Sequence, residues 1–243
     1  MPAVFVHGVP ETHHIWDDLR THLARVHSIA VALPGFGNPR PDGFGATMDE
    51  YAAWLIAELE AVGEPVDLVG HDWGGILSLR VASLRPELVT RWASDAPGAF
   101  DPSFSWHELA TIWQTPDAGE EFMDAVEAMS VDERASTFTG YGVPQAKARE
   151  MASWWDGTMS RCILDLYRSA AAVEKEWGPG LDDISQPGLV LQATDDPFVN
   201  DELTRRTAKR AHASIATLDD LGHWWPLQDP ARGAAVLEGF WAA

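Results

Sequence analysis

Gly70-His71-Asp72-Trp73-Gly74-Gly75 is the stretch that decides how this chain folds. Residues 66–69 before it read as a short buried strand, and Ile76-Leu77-Ser78-Leu79-Arg80-Val81 after it reads as a helix. The chain must therefore reverse sharply at Asp72. Glycines at 70, 74 and 75 let strand and helix approach closely and permit a strained turn that bulkier residues would block. This is the strand-turn-helix context of a nucleophile elbow, with a carboxylate at its tip. An Asp before a helix is also an ordinary N-cap, but a cap accounts for neither the three glycines nor the flanking His71 and Trp73.

Strand and helix signals alternate on both sides of the elbow. Ala3-Val4-Phe5-Val6 reads as a strand ending in the turn His7-Gly8-Val9-Pro10. Thr12 can cap a helix running to about Arg25, and residues 28–33 give a second strand stopped by Pro34-Gly35-Phe36-Gly37. Thr47 with Glu50 forms a capping box for a helix to Val62, with Tyr51, Trp54, Leu55 and Leu59 on one face. Residues 89–95 give a further strand. From 98 to 187 the pattern is helical without a clear strand, and Gly178-Pro179-Gly180 and Gln186-Pro187 break the chain. Strands resume at 188–193 and 214–218, with helices over about 201–211 and 230–241. This alternation predicts an α/β fold, a mostly parallel sheet of about six strands covered on both faces. Residues 1–97 and 188–243 form its core, and residues 98–187 form a helical cap inserted over the carboxyl ends of the strands.

Composition narrows the partners. The net charge of −20, with 37 acidic against 17 basic residues, repels polyphosphate and anionic membrane surfaces, so neither nucleic acid nor membrane is an expected partner. One cysteine, Cys162, excludes an internal disulfide and reads as a small buried residue, consistent with a reducing cytoplasm. No charged-then-apolar leader precedes Val4, and no apolar run approaches the roughly 20 residues of a membrane span. The expectation is a soluble cytoplasmic protein. Twelve tryptophans against three tyrosines suit the walls of an apolar pocket.

Ligands of a doubly wound parallel sheet bind beyond the carboxyl ends of its strands. Four such positions carry chemistry. They are Asp72, Asp195-Asp196, His223 and the His7-Gly8-Val9-Pro10 turn, with nucleophile, acid and histidine in chain order. Together with Asp196-Pro197-Phe198-Val199 and Gly222-His223-Trp224, these motifs resemble the α/β-hydrolase superfamily. Within it, the chain is similar to the aspartate-nucleophile branch of epoxide hydrolases and haloalkane dehalogenases, and most similar to epoxide hydrolases. The resemblance runs from Val4 to the C-terminus. It implies Asp72 as nucleophile, His223 as base, and the Val9 and Trp73 amides as oxyanion hole, with no metal and no cofactor. Asp196 matches the family's acid, and Asp95 is a rival because some dehalogenases of this branch carry their acid there. Family members usually begin with two antiparallel strands for which this chain has no room. That leaves a sheet edge exposed, or covered by a second copy in a homo-oligomer.

An aspartate nucleophile displaces at saturated carbon and forms an alkyl ester that water must then hydrolyse. An epoxide oxygen leaves as an alkoxide and needs a proton donor, whereas a halide leaves as a stable anion and needs N–H donors. Tyr167, in Leu166-Tyr167-Arg168, matches the second cap tyrosine of epoxide hydrolases. Leu109 stands where the first should be, and Tyr141, Trp106 or His107 is left to supply a second donor. Trp73 alone supplies half of a halide site, with Trp106 available for the other half. The expected function is hydrolysis of a small apolar epoxide, in a pocket that includes Trp106, Leu109, Trp113, Tyr141 and Trp224. A haloalkane dehalogenase using the same Asp72 ester is one alternative, and a non-catalytic ligand-binding homologue is another. The substrate itself is not named by the sequence.

Overall fold

Six short strands place the elbow at the middle of one sheet. The computed structural model describes residues 1–24 and 27–243. Strands β1 (Ala3–Val6), β2 (Ser28–Val31), β3 (Val66–Gly70), β4 (Val89–Ser94), β5 (Gly188–Ala193) and β6 (Ser214–Leu218) pair in the order β2-β1-β3-β4-β5-β6. Every pair is parallel. The chain steps outward from β1 to β2, then crosses back to β3 and runs the other way. The direction therefore switches between β1 and β3, and a crevice opens beyond their carboxyl ends. Gly8-Val9 follows β1 and Asp72 follows β3, so both enter that crevice.

Parallel strands need crossovers, and helices supply them. α1 (Asp17–Thr21), α2 (Met48–Val62) and α3 (Trp73–Leu84) lie between the first four strands. α2 starts as its sequence demands. Thr47 Oγ1 accepts from the Glu50 N–H at 3.3 Å while Glu50 Oε2 accepts from the Thr47 N–H at 3.1 Å, and its buried face carries Tyr51, Leu55 and Leu59. Between β4 and β5 the described residues contain α4 (Glu108–Gln114), α5 (Ala118–Ala128), α6 (Val131–Gly140), α7 (Gln145–Trp154), α8 (Gly157–Ser169) and α9 (Val173–Glu176), and no strand. α10 (Asp201–Arg210), α11 (Trp225–Gln228) and α12 (Pro230–Ala242) complete the chain. β1, β3 and β5 are buried along their whole length, as strands covered by helices on both faces must be. Truncating one of their fully buried side chains to Ala would cost about 2–5 kcal/mol.

Two sequence expectations need correction. The helix expected from Thr12 is a 3₁₀ turn over His13–Trp16 followed by the short α1, and its expected end at Arg25 lies outside the described residues. Adjacent Ile15 and Trp16 are both buried, which the tighter turn allows. β2 ends at Val31 rather than Leu33, because pairing stops at Val6↔Val31 and the Leu33 N–H turns to His7 Nε2 at 3.1 Å. β2 is one edge of the sheet, with Ile29 exposed. No helix among the described residues is long and apolar enough to cross a membrane.

Candidate active site

Asp72 stands at φ 51° and ψ −122°, a conformation that costs a non-glycine residue about 1–3 kcal/mol and persists only where neighbours enforce it. Here they do. The Asp72 N–H donates to Asp95 Oδ1 at 2.8 Å, and α3 begins at the next residue. A Cβ on Gly74 would lie 2.1 Å from the Val6 carbonyl oxygen, and a Cβ on Gly8 would lie 2.3 Å from Asp72 Oδ1. Only hydrogen fits at either position.

The carboxylate is held asymmetrically. Its Oδ1 accepts from the Val9 N–H at 2.8 Å, and the Trp73 N–H also bears on it. Its Oδ2 faces His223 Nε2 at 3.9 Å. His223 Nδ1 lies 2.8 Å from Asp196 Oδ2, and Asp196 Oδ1 accepts from the Phe198 N–H at 2.8 Å. A ring that donates from Nδ1 keeps its Nε2 lone pair toward Asp72. Burial lifts the Asp72 carboxyl to about 6, against the pull of His223 and His71. Burial is the largest influence on His223 and opposes its charge, but the charge and hydrogen bond of Asp196, with the Asp72 charge, together raise the imidazole above its ordinary value. The geometry thus brings Asp196, not Asp95, to His223. Asp95 meets His71 Nδ1 at 2.5 Å and accepts from Trp225 Nε1 at 2.7 Å.

A cavity of about 300 Å³ opens over Asp72, at the small end of ligand sites. Val9, Pro10, Asp72, Phe198, His223 and Trp224 form its floor. Its roof comes from the helical segment, with Leu109 and Trp113 on α4, Phe122 and Val126 on one face of α5, and Met129 just past its end. Phe138 lines it from α6, Tyr141 from the end of that helix at the rim, where it is 40% exposed, and Tyr167 from α8. Tyr167 is buried with its ring 5.6 Å from Trp73, 5.1 Å from Trp106 and 4.8 Å from Trp113. Burial and then the Asp72 charge hold its phenol well above the ordinary pKa, so the hydroxyl keeps its proton.

The donors fall out unequally. Trp106 sits in a side recess with Asp72, and its indole N–H donates to the Ala170 carbonyl at 2.9 Å. It is therefore not free to be the second donor that the sequence allowed, to a halide or to an epoxide oxygen. Trp73 is fully buried, and its indole N–H faces Tyr167 without a formed hydrogen bond. His107 Nδ1 accepts from the Ala110 N–H at 3.2 Å, which leaves the ring hydrogen on Nε2. Burial, helped by His223, lowers this imidazole to about 4. His107 lines the cavity as a neutral donor. Among the described residues no group of three or more His, Cys, Asp and Glu side chains could hold a metal ion.

Comparison with known proteins fits this geometry. A model of the alpha/beta hydrolase family matches residues 3–236. The chain belongs to that family. (E)-2-((N-methylformamido)methylene)succinate hydrolase of Acinetobacter baylyi is 25% identical over 251 residues, covering 98% of this chain and 89% of that protein. Haloalkane dehalogenase DbeA from Bradyrhizobium elkani superposes with a TM-score of 0.75 at 23% identity, covering 99% of this chain and 91% of that one. E-2-(acetamidomethylene)succinate hydrolase superposes at 0.76 with 18% identity, covering 100% and 91%. At these identities the two structures share the fold. The six-stranded parallel sheet with its helices is the alpha/beta-hydrolase fold, and the protein is a hydrolase of that type.

In this alpha/beta hydrolase, sequence reasoning missed Glu11, His71 and Phe198 as parts of the site. Glu11 Oε1 accepts from the Gly8 N–H at 2.7 Å, and Oε2 accepts from Trp224 Nε1 at 2.8 Å. It braces the turn that carries the Val9 amide. Phe198 packs 5.1 Å from the His223 ring. Two signals were present, a carboxylate directly after His7-Gly8-Val9-Pro10 and an aromatic two residues after Asp196.

Proposed function

We propose that this alpha/beta hydrolase opens a small apolar epoxide to a diol through an ester on Asp72, beneath a cap formed by residues 98–187. Oδ2 attacks an epoxide carbon, the carbon–oxygen bond breaks, and the leaving oxygen takes a proton from Tyr167, with His107 Nε2–H as second donor. His223, oriented by Asp196, then takes a proton from water as the water oxygen adds to the ester carbonyl. The Val9 and Trp73 amides bear the oxyanion; as it collapses, the ester carbon–oxygen bond breaks and the leaving oxygen takes the remaining water proton, releasing the diol and the Asp72 carboxylate. The proton held by His223 restores the phenol by way of solvent, so the sum is epoxide plus water to diol.

One observation carries the choice of substrate. Beside Asp72 the cavity is lined by Tyr167, a protonated donor, while Trp73 is buried behind it. A halide leaving group would draw on indole N–H groups, and Trp106 has already given its own to Ala170. Haloalkane hydrolysis is the second reading, favoured by Trp113, which lines the cavity with an indole N–H that has no acceptor among the described residues. Rates on panels of epoxides and haloalkanes separate the two. Tyr167→Phe should lower alkylation by an epoxide on the order of 100-fold and leave any haloalkane turnover nearly unchanged. Halide release by the wild type with no epoxide accepted would reverse the assignment.

A further inference from the structure

Behind the nucleophile lies a second imidazole that the proposed steps do not use. His71 is fully buried, its Nδ1 is 2.5 Å from Asp95 Oδ2, and its Nε2 is 3.5 Å from Glu11 Oε2. The Nε2 contact is at ion-pair distance without hydrogen-bond alignment. Among the described residues both carboxylates otherwise receive only N–H groups. Asp95 accepts from the Asp72 amide and Trp225 Nε1, and Glu11 accepts from the Gly8 amide and Trp224 Nε1. Acceptors satisfied in this way are carboxylates, not carboxylic acids. A neutral ring between them would point a lone pair at one anion from one of its nitrogens. Only the doubly protonated ring avoids that.

The rings of Trp16 and Trp225 stand edge-on to His71 at 6.4 and 6.3 Å, and the His71 and His223 rings are 4.7 Å apart. The ionisable groups facing His71 are thus Glu11, Asp72, Asp95 and His223, with His7 also near enough to feel its charge. We infer that His71 is a positioning residue, a sealed imidazolium between Asp95 and Glu11, whose fixed charge keeps Asp72 ionised for attack and His223 neutral for the water step. Without it, two buried carboxylates would stand behind Asp72 uncompensated, and both neighbours would hold protons more tightly. The directions agree. Burial opposes charge on His71, but Asp95 and Glu11 raise it well above the ordinary range. Its charge in turn pulls both Asp72 and His223 downward.

The inference rests on Asp72 as the nucleophile, but two of its readouts need no substrate. Nitrogen-15 NMR of wild-type imidazoles at pH 8 should show His71 protonated on both nitrogens, and a singly protonated ring would overturn the inference. Carbon-13 titration of the Asp72 carboxyl should give a midpoint near 6, and His71→Gln should move it upward by roughly one to three pH units. In single-turnover kinetics the acid limbs of ester formation and ester hydrolysis should both shift to higher pH in that variant. A variant slower at every pH with unmoved limbs and midpoint would make His71 merely structural. Absence of any ester on wild-type Asp72 would instead sink the epoxide reading and leave the NMR result standing. Should His71→Gln fail to fold, the wild-type NMR decides alone.

Discussion

Two carboxylate–imidazole pairs sit side by side in this protein, and what each ring's other nitrogen meets tells them apart. Asp196 holds His223 through Nδ1, and the remaining nitrogen looks toward Asp72 and the cavity. Asp95 holds His71 through Nδ1, and the remaining nitrogen looks at a second carboxylate, Glu11; neither His71 nor Glu11 lines the cavity. An imidazole whose second nitrogen opens on a cavity can exchange a proton with water. A sealed imidazole between two anions can only keep its charge. A buried Asp–His pair is therefore not enough to identify a catalytic base, and the third partner decides.

The sharpest way to break this comparison is to remove the proposed base. His223→Gln should let ester form while its hydrolysis falls on the order of 10³-fold or more, so that a stable adduct on Asp72 is seen by mass spectrometry of the intact protein. No adduct with any epoxide that the wild type turns over would show that His223 is needed for the first step too. The acids should divide next. Asp196→Asn is expected to slow ester hydrolysis by about 100-fold or more at little cost in stability, because it leaves His223 without the partner that fixes its tautomer. Asp95→Asn leaves the buried His71 charge short of a partner and should cost about 3–5 kcal/mol of stability, read by urea unfolding, with a smaller effect on hydrolysis. A larger catalytic loss at Asp95 would exchange the roles of the two pairs.

The sequence carried the elbow and the sheet because both are local patterns. Glycines at 70, 74 and 75 report a close approach within a few residues of chain, and the capping box at Thr47 reports its own helix. The chemistry that depends on distant partners was less legible. Asp95 and Asp196 both follow strands; family resemblance around Asp196 favours it as the partner of His223, but nothing in the residues near Asp95 says that it will face His71. Glu11 meets Trp224 from the opposite end of the chain, and Gly8 matters because Asp72 Oδ1 arrives beside it from β3. Trp106 looked like a donor by type, and only its contact with Ala170 removed it.

The central claim is that Asp72 itself attacks carbon and is regenerated by water at its own carboxyl. A single turnover with excess enzyme in heavy-oxygen water tests it most directly, with the Asp72 peptide and the diol weighed separately by mass spectrometry. The account predicts one solvent oxygen in the Asp72 carboxyl and none from that water in the diol. Heavy oxygen in the first-turnover diol with Asp72 unlabelled would mean that water attacks the substrate directly, and would contradict it.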